Sequence, residues 1–436
     1  MKRLLALLRS EFGAGSRSII VGSMIAATIL IGSYGAVEGG EDPGTANLWV
    51  DTTGGTCVDN ASPVAYVDAT ACTWDAANDT CDNNDTVLVK GGSYGDVTLN
   101  GATSRTAMCL ISSASGETVT ISDFENGRIF SNAGTPWLTI TGPMDFDSVR
   151  IDDTNNVTVD NIDMDATPLG DNAQAFHIEN TTDFTLKNSD LHSCLNCQGL
   201  FWDAGGSDGL VLDHNNIYED LNDTGGVIHT ECIRLSTEVD VTLSRNHFWS
   251  CDVYDVFLAG TDLRTDYLIE NNVFEQPLGP NNLGFAFRAG GSPSPVPDGM
   301  TIRYNVFSSA IQLPDGQPTA NGLLVYGNYF RNGGPCGFTS NTTYSYNSAP
   351  TGQSVCSGSN SPTFSSASID AGFVNPRTVT TSPEDHVEPP GDYTLLTGSP
   401  FKNIGHPSLF PALDIDGNTR PAGAAADIGA SEFPGG

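Results

Sequence analysis
The chain is predicted to be an all-β solenoid, on three observations. The first is composition: of 52 acidic residues in a chain of 436, 38 are Asp and 14 are Glu, beside 48 Gly and 24 Pro. Asp and Gly favour turns where Glu favours helices, so the chain turns often and a helical bundle is excluded. At 39% hydrophobic residues it is also too apolar to stay disordered. The second observation is a motif: an apolar residue, two variable ones, an Asn, one more residue, then a large apolar side chain. It runs from Leu212 through Asn215 to Ile217, Leu243 through Asn246 to Phe248, Ile269 through Asn272 to Phe274, Ile302 through Asn305 to Phe307, and Val325 through Asn328 to Phe330. Looser copies centre on Asn161 and Asn188. The third observation is the interval between copies, roughly 20 to 35 residues, which is the period of stacked repeats with about three short strands each. Stacking places the Asn residues in one column, hydrogen-bonded along it, with Phe and Ile inside.

The elements follow in chain order. Lys2, Arg3, Arg9 and Arg17 precede an uncharged run from Ile19 to Val37, so residues 1–37 read as a signal peptide or a membrane anchor. Either assignment sends the chain out of the cytoplasm, secreted or on the extracellular surface, and it meets a membrane only if this segment is uncleaved. Residues 45–350 are expected to form the solenoid with its N-terminal cap, 351–391 a Ser/Pro-rich irregular segment, and 392–436 a cover over strand edges that an open solenoid would expose. Short alternating stretches such as Val157–Val159, Phe184–Leu186 and Val241–Leu243 supply the strands. Ten cysteines in an exported chain read as disulfides, with Cys72–Cys81, Cys232–Cys251 and Cys336–Cys356 as candidate pairs. Cys194 and Cys197 lack a second close pair and read as a disulfide or redox pair in preference to zinc ligands.

In these features the chain resembles the right-handed parallel β-helix proteins of the pectate-lyase-like superfamily, especially exported bacterial ones, over about residues 45–433. The opening Leu48-Trp-Val-Asp51, then Asp85-Thr-Val-Leu-Val89 with Gly91-Gly-Ser-Tyr94, is similar to the start of a first coil in such proteins. The ending Asp414-Ile-Asp-Gly417 through Arg420-Pro421, with Asp427 to Glu432, resembles a tail found after secreted β-helices. The resemblance implies a right-handed parallel β-helix with polysaccharide as partner. It does not name an activity, because the architecture hosts lyases, hydrolases, epimerases, esterases and adhesins. The chain has no Arg-x-Pro-x-x-Arg, Gly-His-Gly or Arg-x-Lys segment, so neither pectate lyase nor polygalacturonase activity transfers by motif.

A formal charge of -34 repels nucleic-acid backbones and excludes that partner class. The densest polar constellation is His229, Glu231 and Arg234, the candidate catalytic set. Asp203, Asp252, Asp255, Arg264 and Arg288 are candidate substrate contacts. Asp203 and Arg234 stand at the same offset before Asn215 and Asn246, so they are expected to stack on adjacent coils and point outward, with Trp202 and Ile233 inward. In that arrangement Arg234 binds or deprotonates a uronate, His229 or Glu231 is the acid or base, and Asp203 positions Arg234 or a calcium ion. Asp79, Asp82 and Asp85 are further candidate oxygen ligands for Ca²⁺, the one candidate cofactor, although without EF-hand spacing the stretch reads first as a solvated turn. Carbohydrate cleavage, a lyase ahead of a hydrolase, is the reading these residues favour. A non-catalytic surface protein that binds glycans or acts as an adhesin is the alternative.

Overall fold
The computed structural model describes residues 44–435 apart from 83, 100–104, 106, 127–136, 171–172, 222–230, 237–238, 252, 260–264, 276–284, 290–297, 314–321, 337–340, 357 and 378–389. Each circuit of the chain lays down three short strands, and each strand pairs in parallel with its counterpart one circuit on, which builds three sheets. The early strands Leu138–Asp152 and Asn155–Asp165 are long enough to turn corners, so Leu138–Asp152 contributes to all three.

Strand alternation sends every second side chain inward, and parallel register turns those positions into columns. In the first sheet the column runs Val159, Leu186, Leu212, Leu243, Ile269, Ile302, Val325. In the second it runs Met164, Leu191, Ile217, Phe248, Phe274, Phe307, Phe330. In the third it runs Val149, Phe176, Phe201, Ile233, Val256. All of these are buried in one apolar core. The four phenylalanines of the second column stack nearly face on, with ring centroids 5.0, 4.7 and 5.3 Å apart. Each ring withdrawn from water contributes about 1.5–3 kcal/mol.

The corner between the first and second sheets holds the asparagine column. Asn246 Nδ2 donates to Asn272 Oδ1 and Asn272 Nδ2 to Asn305 Oδ1, each at 3.0 Å, and Asn305 Nδ2 repeats this to Asn328. Asn347, which the motif did not mark, continues the column, while Ser189 stands before Asn215. Asn161 and Asn188 are not in it. They occupy the preceding turn position, with φ of 58 and 52°, where later coils place His214 (φ 60°) and Arg245 (φ 57°). Asn tolerates that left-handed conformation, which explains its appearance one residue early.

The short helix Trp74–Thr80 packs Trp74 and Ala77 into the first coils, and Thr73 caps it by accepting from Ala76 N–H. At the other end, Phe373, Tyr393, Leu395, Phe401 and Ile428 pack on the outward Val273, Val306 and Tyr329 of the second sheet. Leu413 lies against the first sheet, where its carbonyl accepts from Asn271 Nδ2 at 2.7 Å.

All ten cysteines are paired, as Cys57–Cys72, Cys81–Cys109, Cys194–Cys197, Cys232–Cys251 and Cys336–Cys356. The expected Cys72–Cys81 bond is therefore corrected. The helix Trp74–Thr80 intervenes and carries Cys81 to the next coil, and Cys72 turns back to Cys57. Five disulfides are compatible with an oxidising, extracytoplasmic location. Among the described residues no helix is long and apolar enough to cross a membrane; segment 1–37 lies outside them.

Candidate functional site
The outward positions of the three sheets differ in charge and cover. On the first sheet they form ion pairs, Lys187 with Asp160, Arg245 with Asp213 and Arg303 with Glu270. On the second, His192, Tyr218 and Trp249 stack with centroids 5.1 and 4.1 Å apart, beside Asp163 and Asp190. Burial, then Asp190 and Glu219, push the Tyr218 hydroxyl up to about 12.

The third sheet is the reverse. Parallel register puts Arg150, His177, Trp202, Arg234, Phe257, Arg288 and Gln312 in a single outward row. The Arg234 guanidinium lies 4.1 Å from the Trp202 ring centroid and 5.6 Å from that of Phe257. Arg288 lies 5.3 Å from the Tyr254 centroid and donates to its hydroxyl, and Tyr254 in turn stacks on Phe257 at 5.5 Å. Aromatic faces hold both guanidiniums without consuming their charge. Arg150, Arg245, Arg303, Arg331, Arg377 and Arg420 each contact a carboxylate. Arg234 and Arg288 contact none among the described residues.

Of the sequence-predicted residues, Arg234 and Arg288 are thus brought together, with Phe257 between them in the row. Glu231 stands at the start of Arg234's strand, opposite Tyr254 on the next, and is 1% exposed. Burial, opposed by the bond from Arg288, lifts the Tyr254 hydroxyl above its ordinary value. His229, Asp252 and Arg264 lie outside the described residues.

Asp203 and Asp255 are corrections. Arg234 pairs with Trp202, not Asp203, because the turn after Asp203 is one residue longer than the turn after Leu235. Trp202 therefore points outward. Asp203 is fully buried, with its oxygens accepting from Gly205 N–H at 3.0 Å and Ser236 N–H at 2.8 Å. It closes a turn, and Trp202 takes the expected place beside Arg234 in register. Asp85 likewise accepts from Asp82 N–H at 2.7 Å within its own turn. Asp255 is fully buried, and neither of its oxygens has a hydrogen-bond partner among the described residues, where an outward position is expected.

Burial, reinforced by Glu275, holds the Asp255 carboxyl well above the ordinary carboxylate range. Its folded-state value exceeds its unfolded one, so its contribution is fully present in acid and is lost as pH rises. Asp255→Asn should therefore unfold at a higher temperature than the parent at neutral pH, with the gap closing below about pH 4, the unfolded Asp value. Calorimetry across that range checks this, and a variant less stable at neutral pH would contradict it.

Sequence reasoning missed Arg150, His177, Phe257 and Tyr254. A signal was present: four third-sheet strands hold an apolar-x-apolar triplet, Val149-Arg-Ile151, Phe176-His-Ile178, Ile233-Arg-Leu235 and Val256-Phe-Leu258. The middle residues are the row.

No protein-family profile matches this sequence, and no curated protein does. Among solved structures, the crystal structure of pectate lyase Pel9A superimposes with a TM-score of 0.51 at 14% identity, over 88% of this chain and 96% of that one. The chain has the pectate-lyase-like right-handed parallel β-helix fold. At that identity the shared β-helix carries architecture and leaves the chemistry to the residues on its faces.

Proposed function
We propose that this β-helix protein binds an acidic polysaccharide along the outward row of its third sheet and cleaves it there by β-elimination. One observation carries the reading: Arg234 and Arg288 contact no carboxylate among the described residues, in a chain with 52 acidic and 18 basic side chains. Coils spaced ~4.8 Å apart repeat on the scale of one sugar ring in an extended glycan, so neighbouring coils can engage neighbouring sugars. Trp202, Phe257 and Tyr254 provide ring faces beside the guanidiniums. A structural neighbour named as a pectate lyase supports polysaccharide as the substrate class.

In elimination, a guanidinium neutralises the uronate carboxylate and acidifies the adjacent C5 proton. A base takes that proton, a C4–C5 double bond forms, and the C4–oxygen bond breaks with the oxygen leaving on the departing chain. Tyr254, which Arg288 bonds, and Glu231, opposite Tyr254 in register, are the proton-carrying groups at this point of the row. Lys90 and Lys187 pair with Glu117 and Asp160, away from this row. The second reading, binding without turnover, is favoured by the 1% exposure of both Glu231 and Tyr254.

The test is incubation of the purified protein with neutral and acidic polysaccharides, with and without Ca²⁺. Reducing ends and the ultraviolet absorbance of unsaturated uronates are followed. Unsaturated products are the expected result. Reducing ends alone would replace the lyase with a hydrolase. Retained binding with neither product would select the second reading, and binding to neutral glycans only would overturn the assignment to this row.

A further inference from the structure
At one end of the outward row, on the coils before Trp202, Asp152 pairs in register with Glu179 and Arg150 with His177. Asp152, His177 and Glu179 each bring one ligand atom to a point where all three lie within 4.8 Å of one another. His177 Nε2 is 3.6 Å from Asp152 Oδ1 and 3.7 Å from Glu179 Oε2. Those separations are too long for hydrogen bonds. They are close to the ~3.4–3.6 Å that separates two donors each about 2.1 Å from a shared zinc-like ion.

Two further observations point to a ligand. Asp152 and His177 are 5% and 6% exposed, and both Asp152 Oδ1 and His177 Nε2 are buried without a hydrogen-bond partner among the described residues. Folded proteins rarely leave such atoms unsatisfied, and an ion is one way to satisfy them. The tautomer is also set: Gln174 Nε2 donates to Gln198 Oε1, which turns Gln174 Oε1 toward His177 Nδ1. Nδ1 then carries the proton and Nε2 presents its lone pair to the two carboxylates, the arrangement in which a metal-binding histidine is oriented by its second nitrogen. Arg150 bonds Asp152 Oδ2 and also lies 3.7 Å from Glu179 Oε2, which leaves Asp152 Oδ1 and His177 Nε2 clear of the guanidinium.

We infer that Asp152, His177 and Glu179 form a binding site for a zinc-class divalent transition metal. One imidazole with two carboxylates suits zinc, cobalt or manganese, whereas calcium takes six to eight oxygens. Glu179 is 44% exposed, so the site opens to solvent and leaves coordination positions for an incoming oxygen donor. The site stands independently of polysaccharide binding, and its test contains no glycan.

The experiment uses the full chain, stripped with chelator and titrated with Co²⁺ and Zn²⁺, following visible cobalt absorbance and heat of binding. Saturable Co²⁺ binding displaced by Zn²⁺ is expected. His177→Ala should abolish it, and Gln174→Ala should weaken it about 10- to 100-fold, as for an outer partner of a ligand. Arg150→Gln should tighten it, because the guanidinium beside Asp152 repels a cation. Glu179→Gln, at an exposed position, keeps the test sound if His177→Ala does not fold. Absence of Co²⁺ binding in both the parent and Arg150→Gln would overturn the site. Ca²⁺ binding that Zn²⁺ fails to displace would overturn its assignment to a transition metal.

Discussion

Asn272→Ala should lose about 3–5 kcal/mol of folding stability, from two or more buried groups stripped of partners at about 1–3 kcal/mol each. Asn272 Oδ1 accepts from Asn246 N–H at 2.8 Å and from Asn246 Nδ2 at 3.0 Å. Its Nδ2 donates to the Leu243 carbonyl at 2.8 Å, the Glu270 carbonyl at 3.0 Å and Asn305 Oδ1 at 3.0 Å. Truncation leaves the Asn246 N–H without this acceptor in a corner where Asn246, Asn272 and Asn305 are all buried. Asp at this position accepts but cannot donate, so Asn272→Asp should fall by a similar amount. Because stacked repeats lean on their neighbours, the damage should spread to adjacent coils. Urea denaturation followed by circular dichroism measures it. A loss under about 1 kcal/mol, the value of one ordinary hydrogen bond, would mean that the corner relaxes around the gap and that the column is not a main source of stability.

That column was legible because its chemistry repeats: one residue type at one place in every coil, followed by an apolar side chain that must be inside. The inward columns were legible for the same reason, from alternation alone. What did not carry over was phase. Counting back from Asn246 and Asn215 put Arg234 beside Asp203, but strands keep register by hydrogen bonding while turns absorb extra residues, and one such residue exchanged Asp203 for Trp202. The exchange matters chemically, because it replaces an ion pair by a cation on an indole face and leaves the guanidinium charge unspent. Asp203 and Asp255 looked like surface carboxylates because acidic residues usually are; both lie inside, one bonded to backbone amides and one whose carboxyl burial pushes well above its ordinary range. Cys232–Cys251 and Cys336–Cys356 followed from spacing. The Cys81–Cys109 bond instead joins the end of the helix Trp74–Thr80 to a strand 28 residues on, and spacing carries no trace of it.

Arg234→Ala should weaken binding of an acidic polysaccharide about 10- to 150-fold, the equivalent of the 1.5–3 kcal/mol carried by hydrogen bonds to a charged group. The guanidinium is held between Trp202 and Phe257 and its Nε is buried without a hydrogen-bond partner among the described residues, so its remaining N–H groups and its charge are what it offers a ligand. Arg234→Lys should fail to restore affinity, because an ammonium keeps the charge but loses the planar fork that stacks on indole and meets a carboxylate with two hydrogen bonds. Arg288→Ala should act in the same direction and less than additively with Arg234→Ala, since the Tyr254 and Phe257 rings that link them are shared. The elsewhere acidic surface repels a polyanion, so salt acts in two ways. It screens the repulsion from the first two sheets and also weakens the attraction at the arginines. Removing Arg234 and Arg288 together leaves chiefly the repulsion, so the double variant's residual affinity should rise with ionic strength where the parent's falls. Affinity measured by calorimetry at low and high salt separates these signs, and parallel salt dependences in parent and variant would place the glycan on another face.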